Sequence, residues 1–539
     1  KEIERFDAAI VVAEKRMLEL RHQAGRNLGE NEAAIFDAHI GILHDSSLRE
    51  TVRVLCATSK LNVEAALTEA IGSLTSAFAR LDNPYFRERA ADLRDVGNQL
   101  LAAMVEDGRH EPLRLPEGTV LVAGELMPSV VVQLDEQAVR AVVVEQGGQT
   151  AHSTILARAR EIPLLIRVPD ATRTIHTGDR LIVDGLAGRV FINPQQEIER
   201  EYDRLEADLQ AHKTALKGLI DLPSVTRDGV TVKLRANIGK VADAVAAASV
   251  NADGAGLYRT EFVFLAQDHF PLEEEQYGIY RATADRLTPH EVVVRMLDIG
   301  SDKLLSYFPL AREANPSLGR RGIRLLLAYP EVLHAQLRAV LRVSATHPVS
   351  ILFPMVGGVE ELRAAKGAVD HAKASLAADG QPFNPDIRVG AMIESPAAVI
   401  MVSRLAQEVD FLSVGTNDLV QYLLTTDRSS SEMAAYYEPL HPAVLQSLHR
   451  VANTAAEQNV DASLCGEMAG NSAFTELLLG LGFRSLSVNP SEILEIKNAI
   501  RVTEMQAAEG FAKRLLELGT AREIKEAIRE RNNLPGVIV

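Results

Sequence analysis

Tryptophan is absent from the 539 residues, and no motif below rests on it. Only two cysteines occur, Cys56 and Cys465, far apart and with no metal-type spacing. That excludes a disulfide framework and fits a reducing, cytoplasmic compartment. Basic charge is not in excess. The formal net charge of −16 argues against non-specific nucleic-acid binding, which needs a basic footprint, and is compatible with docking a basic partner protein. No uninterrupted apolar run is long enough to insert in a membrane. The opening Lys1–Phe6 has neither a methionine nor a signal-peptide pattern and enters helical periodicity directly, which predicts a piece of a longer protein.

What is present is ordinary for a soluble globular protein: 47% hydrophobic and 24% charged residues, over a length that predicts several domains. Ile3, Phe6, Ile10, Ala13, Met17 and Leu20 recur at helical spacing. Further helices are predicted over Asn31–Leu43, Leu48–Lys60, Val63–Arg80 and Tyr85–Met104, with Asn83-Pro84 as a break. Residues 1–114 therefore read as a helical bundle. Short apolar strands separated by Gly, Pro and Asp follow over 115–194: Thr119–Val122, Ala141–Glu145, Leu164–Val168, Arg180–Asp184 and Gly188–Ile192. Residues 195–221 read as a charged linker helix. From 222 to 539 strands alternate with helices in eight units, the pattern of a (β/α)8 barrel. The strand candidates are Val232–Asn237, Gly256–Thr260, Val292–Asp298, Ser350–Met355, Arg388–Glu394, Phe411–Thr416, Ala462–Glu467 and Ser485–Val488.

In the small α/β segment, Gly147-Gly148-Gln149-Thr150-Ala151-His152 runs from a strand into a helix. Glycines there free backbone N–H groups to face an anion, and the helix N-terminus adds partial positive charge. His152 is thereby placed to accept a phosphoryl group. Taken alone, the motif also fits a helix cap or a packed surface histidine.

Barrel active sites lie at the C-terminal ends of the strands, and there the polar residues recur. Arg259, Arg295, Arg321 and Arg428 suit bidentate contacts to phosphate and carboxylate, and Lys303 adds a point charge. Glu394 and Asp418 are hard oxygen donors suited to Mg²⁺, Asn417 can donate to a phosphate, and Cys465 ends another strand. Each residue alone also fits a structural role: an ion pair at a barrel rim, or a small buried thiol. The joint pattern over several strand ends points to a small, doubly anionic, metal-chelated ligand.

Glu88–Gly97, Gly147–Arg158, Gly256–Phe262, Arg295–Lys303, Asn315–Arg324, Phe353–Val356, Gly390–Ala398, Phe411–Leu424 and Leu464–Gly470, in that order, make the chain resemble enzyme I of the bacterial phosphoenolpyruvate-dependent phosphotransferase system along nearly its whole length. The resemblance implies a helical domain (1–114) that docks the carrier protein HPr and a swivelling phosphohistidine domain (115–194). It further implies a linker helix (195–221) and a TIM barrel (222–539) that binds phosphoenolpyruvate and Mg²⁺ and forms a homodimer. It implies phosphorylation of His152 on Nε2 and phosphate binding by Arg259, Arg295 and Arg321. Arg428 falls at the substrate carboxylate, Glu394 and Asp418 on Mg²⁺, Asn417 beside the phosphate, and Cys465 as the acid that protonates the enolate of pyruvate. Departures are Ala151, where the family usually has serine, and Gln149, where sugar-transporting members often have arginine. The family's first, glycine-containing strand is missing. The sugar branch, the nitrogen-regulatory branch and a fructose-type fusion stay open. A pyruvate phosphate dikinase or phosphoenolpyruvate synthase is the competing reading, and it would need an ATP-binding domain that the assigned residues leave no room for.

Overall fold

Apolar residues at helical spacing and strands bounded by turn residues sort this chain into two compact units, Lys1–Asp208 and Leu209–Val539. The computed structural model describes residues 1–27, 30–79, 84–105, 115–134, 138–148, 152–160, 162–267, 269–300, 305, 307, 308, 310, 313–428, 430 and 432–532.

The first unit opens with five helices: α1 (Glu2–Asn27), α2 (Glu30–Leu43), α3 (Ser46–Thr58), α4 (Val63–Ala79) and α5 (Pro84–Val105). Phe6, Ile10, Ala13 and Met17 bury the predicted stripe of α1 against Val52, Leu67, Val96 and Leu100. Asp45 starts α3 by accepting the N–H groups of Ser47 and Leu48, which meets two of the orphan donors of a helix start. Pro84 takes the first position of α5, where a missing N–H costs nothing.

The α/β part has a parallel sheet in the order β1 (Thr119–Ala123), β2 (Val139–Val144), β3 (Leu164–Leu165), and an antiparallel pair, β4 (Leu181–Asp184) with β5 (Arg189–Ile192). Its helices are α6 (Pro128–Gln133), α7 (His152–Ala159) and α8 (Ala171–Thr174). The predicted strand Leu164–Val168 stops at Leu165, and Arg167 turns to φ 59°, outside strand geometry. The bundle and the sheet share a core. Leu20, Ala24 and Phe36 of α1 and α2 pack with Val131, Val142 and Leu156. A fully buried aliphatic side chain of this kind contributes about 1.5–3 kcal/mol. The helix α9 (Gln196–Lys217) runs across the division between the units.

The second unit is a closed barrel of eight parallel strands. They are β6 (Lys233–Ile238), β7 (Ala255–Arg259), β8 (Val292–Arg295), β9 (Val349–Phe353), β10 (Val389–Ile393), β11 (Phe411–Val414), β12 (Asp461–Leu464) and β13 (Ser485–Val488), with β13 pairing back onto β6. One face of the strands buries aliphatic residues against the surrounding helices. The other turns Leu257, Val293, Leu352, Met392, Phe411 and Cys465 inward as a layer filling the barrel. Six of the predicted strands overran the observed C-terminal ends. Val292–Asp298 stops at Arg295, and Phe411–Thr416 stops at Val414 because Thr416 already opens the helix Thr416–Leu423. The polar residues beyond each end have left the ladder and face the barrel mouth.

Candidate active site

Each unit contributes one set of chemically competent residues. In the first, His152 is the first described residue of α7 (His152–Ala159), four residues beyond Gly148 in the sequence. Gly147 takes φ 153°, a conformation L side chains rarely adopt, and the hydroxyl of Thr154 donates to the carbonyl of Gly148 at 2.8 Å. Turn and helix start are thus tied together. Gln149, Thr150 and Ala151 lie outside the described residues.

The imidazole of His152 is about one-third exposed, and its Nδ1 lies 3.1 Å from Oδ1 of Asp92, a buried residue of α5. His39 of α2, also buried, places Nε2 3.2 Å from the same oxygen, and its Nδ1 is 3.8 Å from Asp95. Burial pushes the Asp92 carboxyl up, but the hydrogen bonds from His152 and His39 outweigh it and hold the carboxyl below the ordinary range. Asp95, deeper still, is raised by burial, although it accepts the N–H and hydroxyl of Ser129 at 2.9 and 2.5 Å. With Nδ1 donating to Asp92, the lone pair of His152 sits on Nε2. Nothing in the spacing of Asp92 and His152 announced this pair. The only sequence signal was that Asp92 falls inside the Glu88–Gly97 segment.

In the second unit the C-terminal strand ends surround a cavity of about 590 Å³. Arg259, Arg295, Arg321, Glu394, Asn417, Asp418, Arg428 and Cys465 all line it. Lys303 lies outside the described residues. Sequence reasoning missed the acids that hold the arginines. Asp298 accepts Nε and Nη2 of Arg321 at 3.1 and 2.8 Å, a bidentate fork. Arg295 is buried between Glu261, which accepts from its Nη2, and Asp298 at 3.5 Å. Burial alone would lower the Arg295 guanidinium, but Glu261 and then Asp298 reverse that and raise it. Arg259 has no hydrogen bond or ion pair to another side chain among the described residues. Arg428 reaches only to 3.8 Å from Asp418. Asn417 is held by a reciprocal pair: its amide donates to Glu467 at 2.7 Å, and its oxygen accepts the N–H of Glu467 at 2.8 Å.

Glu394 is fully buried, with Oε1 accepting the N–H of Met355 at 2.6 Å. Burial first, then Asp418 and Asp298, push its carboxyl up to about 8. Oε2 of Glu394 and Oδ1 of Asp418 are buried without a hydrogen-bond partner among the described residues. The cavity wall sets the acids Glu261, Asp298, Glu394, Asp418 and Glu467 against four arginines, and a divalent cation on the two buried oxygens without hydrogen bonds would tip that balance toward positive charge. Hard oxygen donors from two carboxylates, completed by ligand oxygens, suit Mg²⁺. Cys465 closes the floor, buried, its thiol pushed up by burial.

Comparison with known proteins covers nearly the whole chain. Three family models match: PEP-utilising enzyme, N-terminal, over residues 1–89; PEP-utilising enzyme, mobile domain, over 115–188; and PEP-utilising enzyme, PEP-binding domain, over 213–505. The phosphoenolpyruvate-protein phosphotransferase of Haemophilus influenzae is 38% identical over 529 residues, 98% of this chain and 92% of that one. The proteins of the same description from Listeria innocua and Bacillus subtilis are each 37% identical over 529 residues, covering 98% of this chain and 92% and 93% of theirs.

Proposed function

The chain belongs to the PEP-utilising enzyme family, among the phosphoenolpyruvate-protein phosphotransferases of the enzyme I kind, and we propose that it moves the phosphoryl group of phosphoenolpyruvate onto Nε2 of His152 and then onto a histidine of an HPr-type carrier, releasing pyruvate. The observation that carries this reading is the hydrogen bond between Nδ1 of His152 and Asp92, which leaves Nε2 as the nucleophile. As Nε2 bonds to phosphorus, positive charge develops on the ring, and the ionised Asp92 lies where it stabilises that charge.

At the barrel mouth, Arg259 and Arg295 are the cations for the phosphate, Arg321 and Asn417 lie beside them, and Arg428 faces the carboxylate end. Asp298 occupies Nε and Nη2 of Arg321, so the arginine would turn Nη1 to the ligand, where it now donates to the Tyr422 hydroxyl at 3.4 Å. Glu394 and Asp418 would hold Mg²⁺, which when bound neutralises charge on the transferring group. The enolate leaves, and Cys465, on the cavity floor, gives its proton to the methylene carbon.

In this reading residues 1–114 dock the carrier, 115–194 carry His152, 195–221 form the linker helix and 222–539 bind the substrate. The mobile-domain match over 115–188 supports the second assignment, and the run of α9 across the division between the units supports the third. Association of two copies through the barrel completes the reading, and exposed Leu318, Ile400 and Tyr436 on that unit are available for it. No described helix is long and apolar enough to cross a membrane.

Labelling with phosphoenolpyruvate carrying labelled phosphate tests the assignment. The wild-type chain takes up acid-labile label and passes it to HPr, and His152→Ala takes up none. Label persisting on His152→Ala would mean another acceptor.

A further inference from the structure

We propose that Ser413 is the positioning residue for proton delivery by Cys465: its hydroxyl holds the thiol at the cavity floor and stabilises the thiolate left when the proton moves to the enolate. This rests on the reading of Cys465 as the acid.

The observation is a hydroxyl in an unexpected place. Along β11, Phe411 belongs to the apolar layer filling the barrel, while Leu412 and Val414 pack outward against the helices. Alternation along a strand puts Ser413 on the inward face with Phe411. Ser413 is fully buried, and its register neighbour on β10 is Met392. Its hydroxyl makes one hydrogen bond among the described residues, a donation to Sγ of Cys465 at 3.3 Å. The thiol in turn lies 3.4 Å from the carbonyl of Val414. The sulfur of a neutral thiol is a weak acceptor, so in this protonation state the buried hydroxyl is poorly matched. A thiolate is a strong one, and a hydrogen bond to an ionised partner is roughly twice as strong. The hydroxyl is therefore complementary to the product of the proton transfer more than to its start, which is the condition for accelerating it. Burial raises the Cys465 thiol, and the Ser413 hydrogen bond acts against that rise.

The step balances as follows. The Sγ–H bond breaks and a C–H bond forms at the methylene carbon of enolpyruvate. The C=C electron pair forms that bond, and the enolate oxygen closes the carbonyl of pyruvate. The S–H pair stays on sulfur, facing the Ser413 hydroxyl, and water entering after pyruvate leaves restores the thiol.

The test is steady-state pyruvate formation by the full chain with HPr as acceptor. Ser413→Ala is expected to lower kcat tenfold to a hundredfold while KM for phosphoenolpyruvate stays within twofold. Ser413→Thr, which keeps the hydroxyl, is expected to recover to within threefold of wild type. In a Cys465→Ala background, Ser413→Ala is expected to add no further loss. A kcat within twofold of wild type for Ser413→Ala overturns the proposal, as does the same fold loss in the Cys465→Ala background, which would mark a structural role. Full turnover by Cys465→Ala sinks the acid reading itself, and is told apart because it shows without any change at Ser413.

Discussion

The two reactive regions of this molecule hold their charges in opposite ways. His152 is lightly held, with one third of its side chain exposed and one carboxylate behind Nδ1. The barrel mouth is dense. Arg295 and Arg321 are buried in forks and ion pairs with Glu261 and Asp298, and Glu394 is fully enclosed. On the proposed reading, a group that receives phosphate at one place and surrenders it at another cannot be locked into either. A site that binds a polyanion must instead keep its cations fixed and desolvated, where they act most strongly.

That contrast predicts different failures. At the barrel mouth, Arg295→Met leaves Glu261 buried without its cation, while Asp298 keeps the fork of Arg321. It is expected to cost about 3 kcal/mol of stability, seen as a lower urea midpoint, and to reduce turnover beyond detection. An unchanged midpoint would break the picture of a pre-neutralised site. His152→Ala is expected to lose the same activity at only about 1 kcal/mol, the scale of one hydrogen bond. Cys465→Ala is expected to slow pyruvate formation about a hundredfold with KM nearly unchanged, measured by coupled pyruvate detection. Asp92→Asn keeps the shape and removes the charge, and is expected to slow uptake of label about tenfold. Asp92 also sharpens the comparison through pH. Its folded carboxyl is held below the unfolded value, so its contribution to stability is complete above the ordinary carboxylate range and is lost as pH falls below it. The urea midpoints of wild type and Asp92→Asn are therefore expected to differ most at pH 7, with the difference starting to shrink only as the pH falls below the ordinary carboxylate range. The smallest effect concerns docking. Polar substitutions on the exposed face of α2 are expected to weaken transfer to HPr several-fold without altering self-phosphorylation, and equal loss of both would place the carrier elsewhere.

Much of this was legible along the chain. The eight barrel strands read from apolar runs bounded by turn residues, and errors fell at their C-terminal ends. There Asp298, Glu394 and Glu467 follow apolar residues closely enough to look like strand, although they have left the ladder. Eight of the ten expected site residues share one cavity, because a closed parallel barrel sends every strand end to the same mouth. The partners were not legible. Asp298 lies 23 residues from Arg321, Glu467 lies 50 from Asn417, and Asp92 lies 60 from His152.

Residue type and periodicity alone determined which segments are helix and strand, that eight βα units follow a helical region, and which polar side chains gather at the strand ends. These are local matters of backbone preference, burial pattern and functional group. Only the tertiary structure decided that Asp92 and His39 stand behind His152, that Arg295 and Arg321 are already neutralised, and that Ser413 meets Cys465. Charges and hydrogen bonds act over a few ångströms of space, whatever the separation along the chain, and the closing of the barrel, the packing of α1 and α2 with the small sheet and that of α5 against α6 set those distances.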